Sequence, residues 1–249
     1  MKQTLLFDLD DTLIYCNKYF NLTLEQFADT MLDWFSSDSP SRAAILDKHT
    51  EIDIAGVKVL GFQSEHFPQS FLDTYRYFSE LYGRDQDSAE QKLLWDLGIS
   101  VYEHEVEPYP HMEETLSFLR DSGHDLHLYT GGDPVIQRRK IERLQLERYF
   151  EDRIYVRMHK NTDALKEILT EGSFEQGRTW MIGNSIRTDV VPALECGLNA
   201  IYMKRDQEWM FNMIPIDAAP QGAFLTLTDL SEVPPAIERY LVSEKEPGV

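Results

Sequence analysis

The sequence predicts an α/β protein in which helices cover both faces of a parallel sheet and a separate helical segment interrupts the chain near its start. Two observations lead to this prediction. Short apolar runs alternate with helical patterns over most of the chain, as in parallel sheets built from strand–helix–strand crossovers. The segment 15–107 instead keeps helical periodicity over much of its length and has no clear strand signal. With 249 residues, the chain is long enough for one large α/β domain with an insert.

Six short apolar runs are predicted to be strands, because runs of this length are typical of strands buried on both faces of a parallel sheet. The last run is expected at the sheet edge. In chain order they are Thr4–Phe7, Leu126–Tyr129, Arg153–Val156, Thr179–Ile182, Ala200–Met203 and Ala223–Leu227. Helical patterns lie between them, most followed by a glycine that is typical of helix C-termini; they are Glu113–Ser122, Pro134–Leu144, Thr162–Glu171 and Val190–Cys196. We therefore expect a Rossmann-like three-layer core formed by residues 1–14 and 108–249.

The segment 15–107 is predicted to be an inserted α-helical domain. Aromatic residues recur along it at helical spacing, and we interpret them as the core of this domain rather than as a ligand site. Asp38-Ser39-Pro40 is predicted to begin one of its helices, and Gly83 to end another. We expect the tail after Val242 to be frayed.

The composition excludes several function classes. The formal net charge of −19 argues against nucleic acid as a partner, since binding a phosphate backbone requires a basic surface. We interpret the basic run Arg138–Lys140 as a solvated helix face. No apolar run reaches the ~20 residues of a membrane span, and the N-terminus does not resemble a secretion signal. Cys16 and Cys196 lie in no metal or redox spacing, so we expect two reduced thiols in a cytoplasmic protein.

Three carboxylates follow the first predicted strand within four residues: Asp8, Asp10 and Asp11. Carboxylates so close together at a buried strand end repel one another unless a cation lies among them. Mg²⁺ prefers oxygen ligands and often binds through one or two carboxylates together with a substrate phosphate. The run therefore indicates a magnesium site, although a turn or a helix cap explains an isolated pair of aspartates equally simply.

Side chains of matching chemistry follow three other predicted strands. Thr130 and Gly131 end the second strand and offer a hydroxyl and backbone N–H groups to a phosphoryl oxygen. Lys160 follows the third strand and supplies a local cation, and Asn184 and Asp189 follow the fourth and offer oxygen atoms. Each of these has an ordinary structural explanation when taken alone. Because the carboxyl ends of parallel strands share one edge of the sheet, we expect these residues to converge there.

The order of these motifs resembles that of the haloacid dehalogenase-like (HAD) hydrolases, in particular the phosphatase subgroup with a helical (C1) cap inserted after the first motif. The similarity covers Lys2–Ile14 and again about Pro108–Lys204. In motif order, the matches are DxDx[TV] at Asp8–Thr12, the hydroxyl motif at Thr130, the family lysine at Lys160 and the GDxxxxD form at Gly183–Asp189.

The resemblance implies a phosphatase that works in two steps. Asp8 forms an aspartyl-phosphate that water hydrolyses, and Asp10 acts first as general acid and then as general base. Thr130, Gly131 and Lys160 would bind the phosphoryl group of a small phosphorylated metabolite. Mg²⁺ would be held by Asp8, Asp10, Asn184 and Asp189. Asp10 also argues against dehalogenation, because a halide leaving group needs no proton.

Two departures from the family pattern keep other functions open. Asn184 stands where relatives usually have an acid, which implies weaker Mg²⁺ binding, and Gly131 stands where asparagine is common. A phosphomutase on the same scaffold and a catalytically weak phosphate- or metal-binding protein are the alternatives. A response-regulator-like signalling domain shares the acidic strand end, but the long helical insert argues against it. Tyr15, Asn17 and Phe20 are candidate specificity residues, and no pattern indicates an oligomeric state.

Overall fold

The computed structural model describes residues 1–35 and 40–243. Its central feature is one sheet of six strands, all parallel, in the order β3-β2-β1-β4-β5-β6. The strands are β1 Thr4–Phe7, β2 Asp125–Gly131, β3 Ile154–Arg157, β4 Thr179–Gly183, β5 Asn199–Met203 and β6 Phe224–Leu227. The order reverses at β1, and this switch point brings the C-terminal ends of β1, β2 and β4 together.

Alternate residues of β1 belong to different cores, which shows that the sheet is buried on both faces. Leu5 and Phe7 pack in one apolar cluster, whereas Leu6 packs in a second cluster on the opposite face. The helices that accompany the sheet are α5 Met112–Asp121, α6 Pro134–Arg143, α7 Glu147–Phe150, α8 Thr162–Glu171, α9 Val191–Glu195 and α10 Val233–Ser243. The predicted three-layer α/β, Rossmann-like core and its edge strand are therefore confirmed.

Local differences from the prediction have simple causes. The helix predicted to begin at Val190 is preceded by a wider π-type turn at Ile186–Val190, which is started by the side chain of Ser185. The predicted cap of α6 is present, since Asp133 accepts a hydrogen bond from the backbone N–H of Val135 at 2.9 Å. The four-residue helix α7 and the longer helix α10 were not predicted. No described helix is both long enough and apolar enough to cross a bilayer.

The chain divides into two compact units, one formed by Met1–Asn17 with the residues from Val106 onward, and the other by Lys18–Glu105. The second unit is helical, and its helices are α1 Asn17–Trp34, α2 Arg42–Leu60, α3 His66–Tyr82 and α4 Ser88–Ser100.

The aromatic residues of the helical unit form its own core, as the sequence indicated. Phe27 and Phe71 stack with ring centroids 4.1 Å apart, and Tyr75 packs in the same cluster. Gly83 ends α3 in the left-handed conformation that glycine favours. The predicted helix start at Asp38-Ser39-Pro40 lies mostly outside the described residues, and so does most of the predicted C-terminal tail.

Candidate active site

The C-terminal ends of β1 and β4 are joined by a buried ion triad. The Lys160 ammonium lies 2.6 Å from Asp8 Oδ1 and 2.5 Å from Asp189 Oδ1. The side chains of Lys160, Asp8 and Asp189 are only 2%, 8% and 1% exposed. Lys160 is fixed by its neighbour in sequence, because Asn161 caps the N-terminus of α8 through the backbone N–H of Ala164. Three residues predicted to converge from separate strands are therefore in direct contact.

Burial dominates the electrostatics of this triad. It raises the pKa of the Asp8 carboxyl, the Lys160 ammonium opposes that effect, and repulsion from Asp189 and Asp10 adds to it. Burial alone would lower the pKa of Lys160, but the two carboxylates of the triad outweigh it and hold that pKa above its ordinary value. The lysine therefore stays charged, and it stabilises the ionised form of a carboxylate that the protein interior disfavours.

Thr12 connects the triad to Asn184. Its hydroxyl donates to Asp8 Oδ2 at 2.9 Å and accepts from the backbone N–H of Asn184 at 3.1 Å. Thr12 is completely buried, so these bonds replace the water that the hydroxyl would otherwise contact. Thr12 thus links Asp8 Oδ2 to the loop that follows β4.

Gly183 is required by the close approach of Asp189. A Cβ at this position would lie 2.2 Å from Asp189 Oδ2, which no real pair of atoms tolerates. The same Oδ2 accepts from the backbone N–H of Ser185 at 2.9 Å, which closes the turn after β4. Gly183, at the start of the fourth motif, therefore allows the side chain of Asp189, at the end of that motif, to pack directly against the backbone of β4.

Asp10 lies outside the triad, in a second cluster built from α6. Lys140 Nζ is 2.7 Å from Asp10 Oδ1 and 2.9 Å from its Oδ2, and Gln137 Nε2 donates to Oδ2 at 2.9 Å. Gln137 Nε2 also lies 2.6 Å from Thr130 Oγ1 and 3.1 Å from the Gly131 carbonyl oxygen. Asp10 and Thr130, at the ends of β1 and β2, are therefore connected through Gln137 of α6. The sequence predicted this helix but did not assign its side chains to the site.

The interpretation of Arg138–Lys140 as a solvated helix face is wrong for Lys140. Arg138 is exposed, but the Lys140 side chain is only 18% exposed and ends on Asp10. The two residues are two positions apart, and a helix turns about 200° over that distance, so they face in nearly opposite directions. The spacing Gln137–Lys140 places two donors on one helix face, and this is the signal that could have indicated their role.

Asp11 supports the loop rather than the triad. Its carboxylate accepts from the backbone N–H groups of Cys16 and Asn17 at 3.0 and 3.1 Å, and its φ is +57°. Burial raises its pKa to about 7, although these hydrogen bonds act in the opposite direction.

Arg205, which follows β5, holds the same loop. It donates to the carbonyl oxygens of Asp11 at 2.7 Å, Thr12 at 2.9 Å and Thr228 at 3.0 Å. Its guanidinium also lies 3.8 Å from the centre of the Tyr109 ring. Three carbonyl groups from two distant segments are therefore satisfied by one side chain.

The donor set of the site suits a hard cation. Asp8, Asp189 and Asn184 bring two carboxylates and an amide oxygen into one hydrogen-bonded network, and Mg²⁺ prefers such oxygen atoms. Across residues 1–35 and 40–243, however, no group of three or more His, Cys, Asp or Glu side chains is arranged to hold a metal ion by itself. A cation here would need substrate phosphate or water as further ligands.

A further carboxylate, Glu208, lies beside Asn184 and was not predicted. Its Oε1 accepts from the Tyr202 hydroxyl at 3.0 Å and from the backbone N–H of Arg205 at 3.1 Å. Burial raises the pKa of Glu208, while these donors and the Asn184 side chain lower it. Glu208 lies in an irregular segment after β5, where no periodic pattern indicated it.

The candidate specificity residues have structural contacts of their own. Tyr15 packs on Tyr109 with ring centroids 3.9 Å apart, and Asn17 Nδ2 donates to the Gln207 carbonyl at 3.3 Å. Phe20 belongs to the helical unit, where it packs edge-on against Phe67. Their proposed role in specificity stays a prediction.

Comparison with known proteins places this geometry in a family. A family model described as haloacid dehalogenase-like hydrolase matches residues 2–197, most of the chain. The chain belongs to the haloacid dehalogenase-like hydrolases. In this HAD-like hydrolase the residues that carry the motif resemblance lie at or shortly after the C-terminal ends of β1, β2, β3 and β4.

The individual relatives share low sequence identity with this chain. A glyceraldehyde 3-phosphate phosphatase of Methanothermobacter thermautotrophicus is 24% identical over 216 residues, which cover 83% of this chain and 87% of that protein. A HAD-like family hydrolase of Xanthomonas campestris superposes with a TM-score of 0.79 at 23% identity, over 99% of this chain and 95% of that chain. The HAD-hydrolase YfnB of Bacillus subtilis, solved bound to magnesium, superposes with a TM-score of 0.65 at 18% identity, over 95% and 99% of the two chains. These superpositions establish the fold.

Proposed function

We propose that this HAD-like hydrolase is a magnesium-dependent phosphomonoester hydrolase that acts on a small phosphorylated metabolite. The observation that carries the proposal is the pair of separately held carboxylates: Asp8 in the buried triad with Lys160, and Asp10 on the adjacent α6 cluster. One carboxylate is paired with a lysine in the protein interior, and the other is 25% exposed. These are the environments that a nucleophile and an acid/base group require.

The reaction proceeds in two steps. The Asp8 carboxylate attacks phosphorus, the ester P–O bond breaks, and the leaving alkoxide takes a proton from Asp10. Water then attacks the aspartyl-phosphate and gives its proton to Asp10, and the bond between phosphorus and Asp8 breaks to release inorganic phosphate. Lys160, Thr130 and the backbone amide near Gly131 bind the phosphoryl oxygens during both steps.

The residues that would hold Mg²⁺ are Asp8, Asn184 and Asp189, with the backbone carbonyl of Asp10. When bound, the ion neutralises charge that develops on the phosphoryl group. The helical unit Lys18–Glu105 would serve as the cap that selects the substrate. The archaeal relative is named for glyceraldehyde 3-phosphate, so that ester is the first member of the substrate panel that we propose.

Phosphate release decides the function. The purified protein is assayed with p-nitrophenyl phosphate and a panel of sugar phosphates, nucleotides and phosphorylated small acids, with Mg²⁺ or with EDTA. We expect Mg²⁺-dependent release that Asp8→Asn abolishes without unfolding the protein. An Asp8→Asn variant with near wild-type rates would refute the nucleophile assignment. Tight phosphate binding without turnover would instead favour the catalytically weak phosphate- or metal-binding protein that Asn184 suggests.

A further inference from the structure

Helix α6 presents two side chains, one turn apart, to the carboxylate of Asp10. Lys140 Nζ contacts both of its oxygens, at 2.7 and 2.9 Å, and Gln137 Nε2 donates to Oδ2 at 2.9 Å. A carboxylate bound by an ammonium across both oxygens and by an amide at one edge has little freedom to rotate. Its orientation is therefore set by α6 and not by the loop after β1 alone.

The amide of Gln137 also ties this carboxylate to the predicted phosphate-binding hydroxyl. Gln137 is buried, and its Nε2 lies 2.6 Å from Thr130 Oγ1. Gly132 makes room for it, since a Cβ there would lie 2.9 Å from Gln137 Cδ, and the φ of +145° disfavours any other residue. One side chain thus fixes the relative position of Asp10 and Thr130.

The contact between Lys140 and Asp10 is more than a surface ion pair. The two side chains are 18% and 25% exposed, so water screens them only partly. This partly buried contact therefore holds the Asp10 carboxylate against α6.

We propose that Lys140 and Gln137 are positioning residues for Asp10, holding its carboxyl in register with a phosphoryl group bound at Thr130. This inference rests on the proposed phosphatase function. General acid help matters most when the leaving alkoxide is poor. Disturbing the anchor should therefore slow hydrolysis of an alkyl phosphate much more than hydrolysis of an aryl phosphate, with little change in KM.

The test compares Lys140→Met and Gln137→Met with Arg138→Met, which removes an exposed charge from the same helix. Rates are measured on p-nitrophenyl phosphate and on the alkyl phosphate that the panel shows to be turned over fastest. We expect Lys140→Met to lower kcat on the alkyl ester about 10- to 100-fold, part of the ~10²–10⁴-fold that general acid–base catalysis contributes. The aryl ester should lose less than about 5-fold, Lys140→Arg should recover part of the loss, and Arg138→Met should match the wild type.

A double-mutant cycle separates positioning from a purely structural role. If Lys140 acts through Asp10, the variant Asp10→Asn/Lys140→Met should be no slower than Asp10→Asn alone. Additive losses, equal losses on both esters, or wild-type behaviour of Lys140→Met would each overturn the inference, provided that thermal unfolding shows the variants folded. A wild-type protein that hydrolyses neither ester would instead overturn the proposed function, so the two failures are distinguishable.

Discussion

Removing the lysine of the buried triad should destabilise the protein strongly. Lys160→Met leaves the carboxylates of Asp8 and Asp189, 8% and 1% exposed, without their shared cation. Breaking a buried ion pair by removing one partner costs about 3–5 kcal/mol, and here two carboxylates lose the same partner. For a chain of this size each kcal/mol corresponds to roughly 2–4 °C in Tm, so we expect a fall of about 6–20 °C.

Lys166→Met is the matched control. Lys166 pairs with Asp163 at 3.8 Å, but these side chains are 60% and 89% exposed, and such pairs contribute at most about 1 kcal/mol. Both variants are unfolded thermally and in urea, in EDTA so that no divalent cation replaces the missing charge. Equal losses in the two variants would refute the reasoning.

The pH dependence of Lys160→Met provides a second check. Burial already raises the pKa of Asp8, and loss of the lysine raises it further above the unfolded value. The folded state then binds more protons than the unfolded state, so the stability of the variant should fall as pH rises. A deficit relative to wild type that is as large at pH 5 as at pH 8 would contradict the assignment of the loss to buried carboxylates.

Three further perturbations test individual features. Gly183→Ala should displace the aspartate that its Cβ would meet at 2.2 Å and cost about 1–3 kcal/mol in urea unfolding, whereas Gly177→Ala, with nothing within 4 Å, should not. Asn184→Asp should tighten Mg²⁺ binding in a calorimetric titration, because affinity rises with ligand charge; an unchanged Kd would argue against this residue as a ligand. Burial lowers the pKa of His49 to about 3, so only the unfolded state binds its proton below pH 6.5. In urea unfolding, His49→Gln should therefore remove about 2 kcal/mol of the stability lost between pH 6.5 and 5.

The fold and the contact between Asp8 and Lys160 follow from local patterns. Thr162–Glu171 matches α8 at both ends, because Asn161 caps its start and Gly172 follows its end. The strand ends fix Asp8 and Lys160 near one another once the sheet is known to be parallel. These inferences need only periodicity and the geometry of a parallel sheet.

The contacts of Lys140, Arg205 and Glu208 depend on tertiary packing. A basic run looks the same in sequence whether or not one of its side chains points inward, so the pattern predicts an exposed Lys140. Which face of α6 meets β1 is decided by how the helix packs on the sheet. Arg205 and Glu208 lie in an irregular segment where no periodicity exists to locate them. The contacts of these two side chains depend on the path of the chain in three dimensions, which no local sequence pattern indicates.

The hydrogen bonds of Arg205 affect when the loop after β1 can become ordered during synthesis. They join the loop after β1 to a residue 194 and 193 positions further along the chain from Asp11 and Thr12. During synthesis the first strand leaves the ribosome long before its loop can be anchored, and contacts of such high sequence separation form late in folding. Asp8 and Asp10 are thus among the earliest residues made, but Arg205 cannot anchor the loop that follows them until nearly the whole core domain has been synthesised. A chain truncated before residue 205 should retain apolar strands that can associate, yet lack an ordered site.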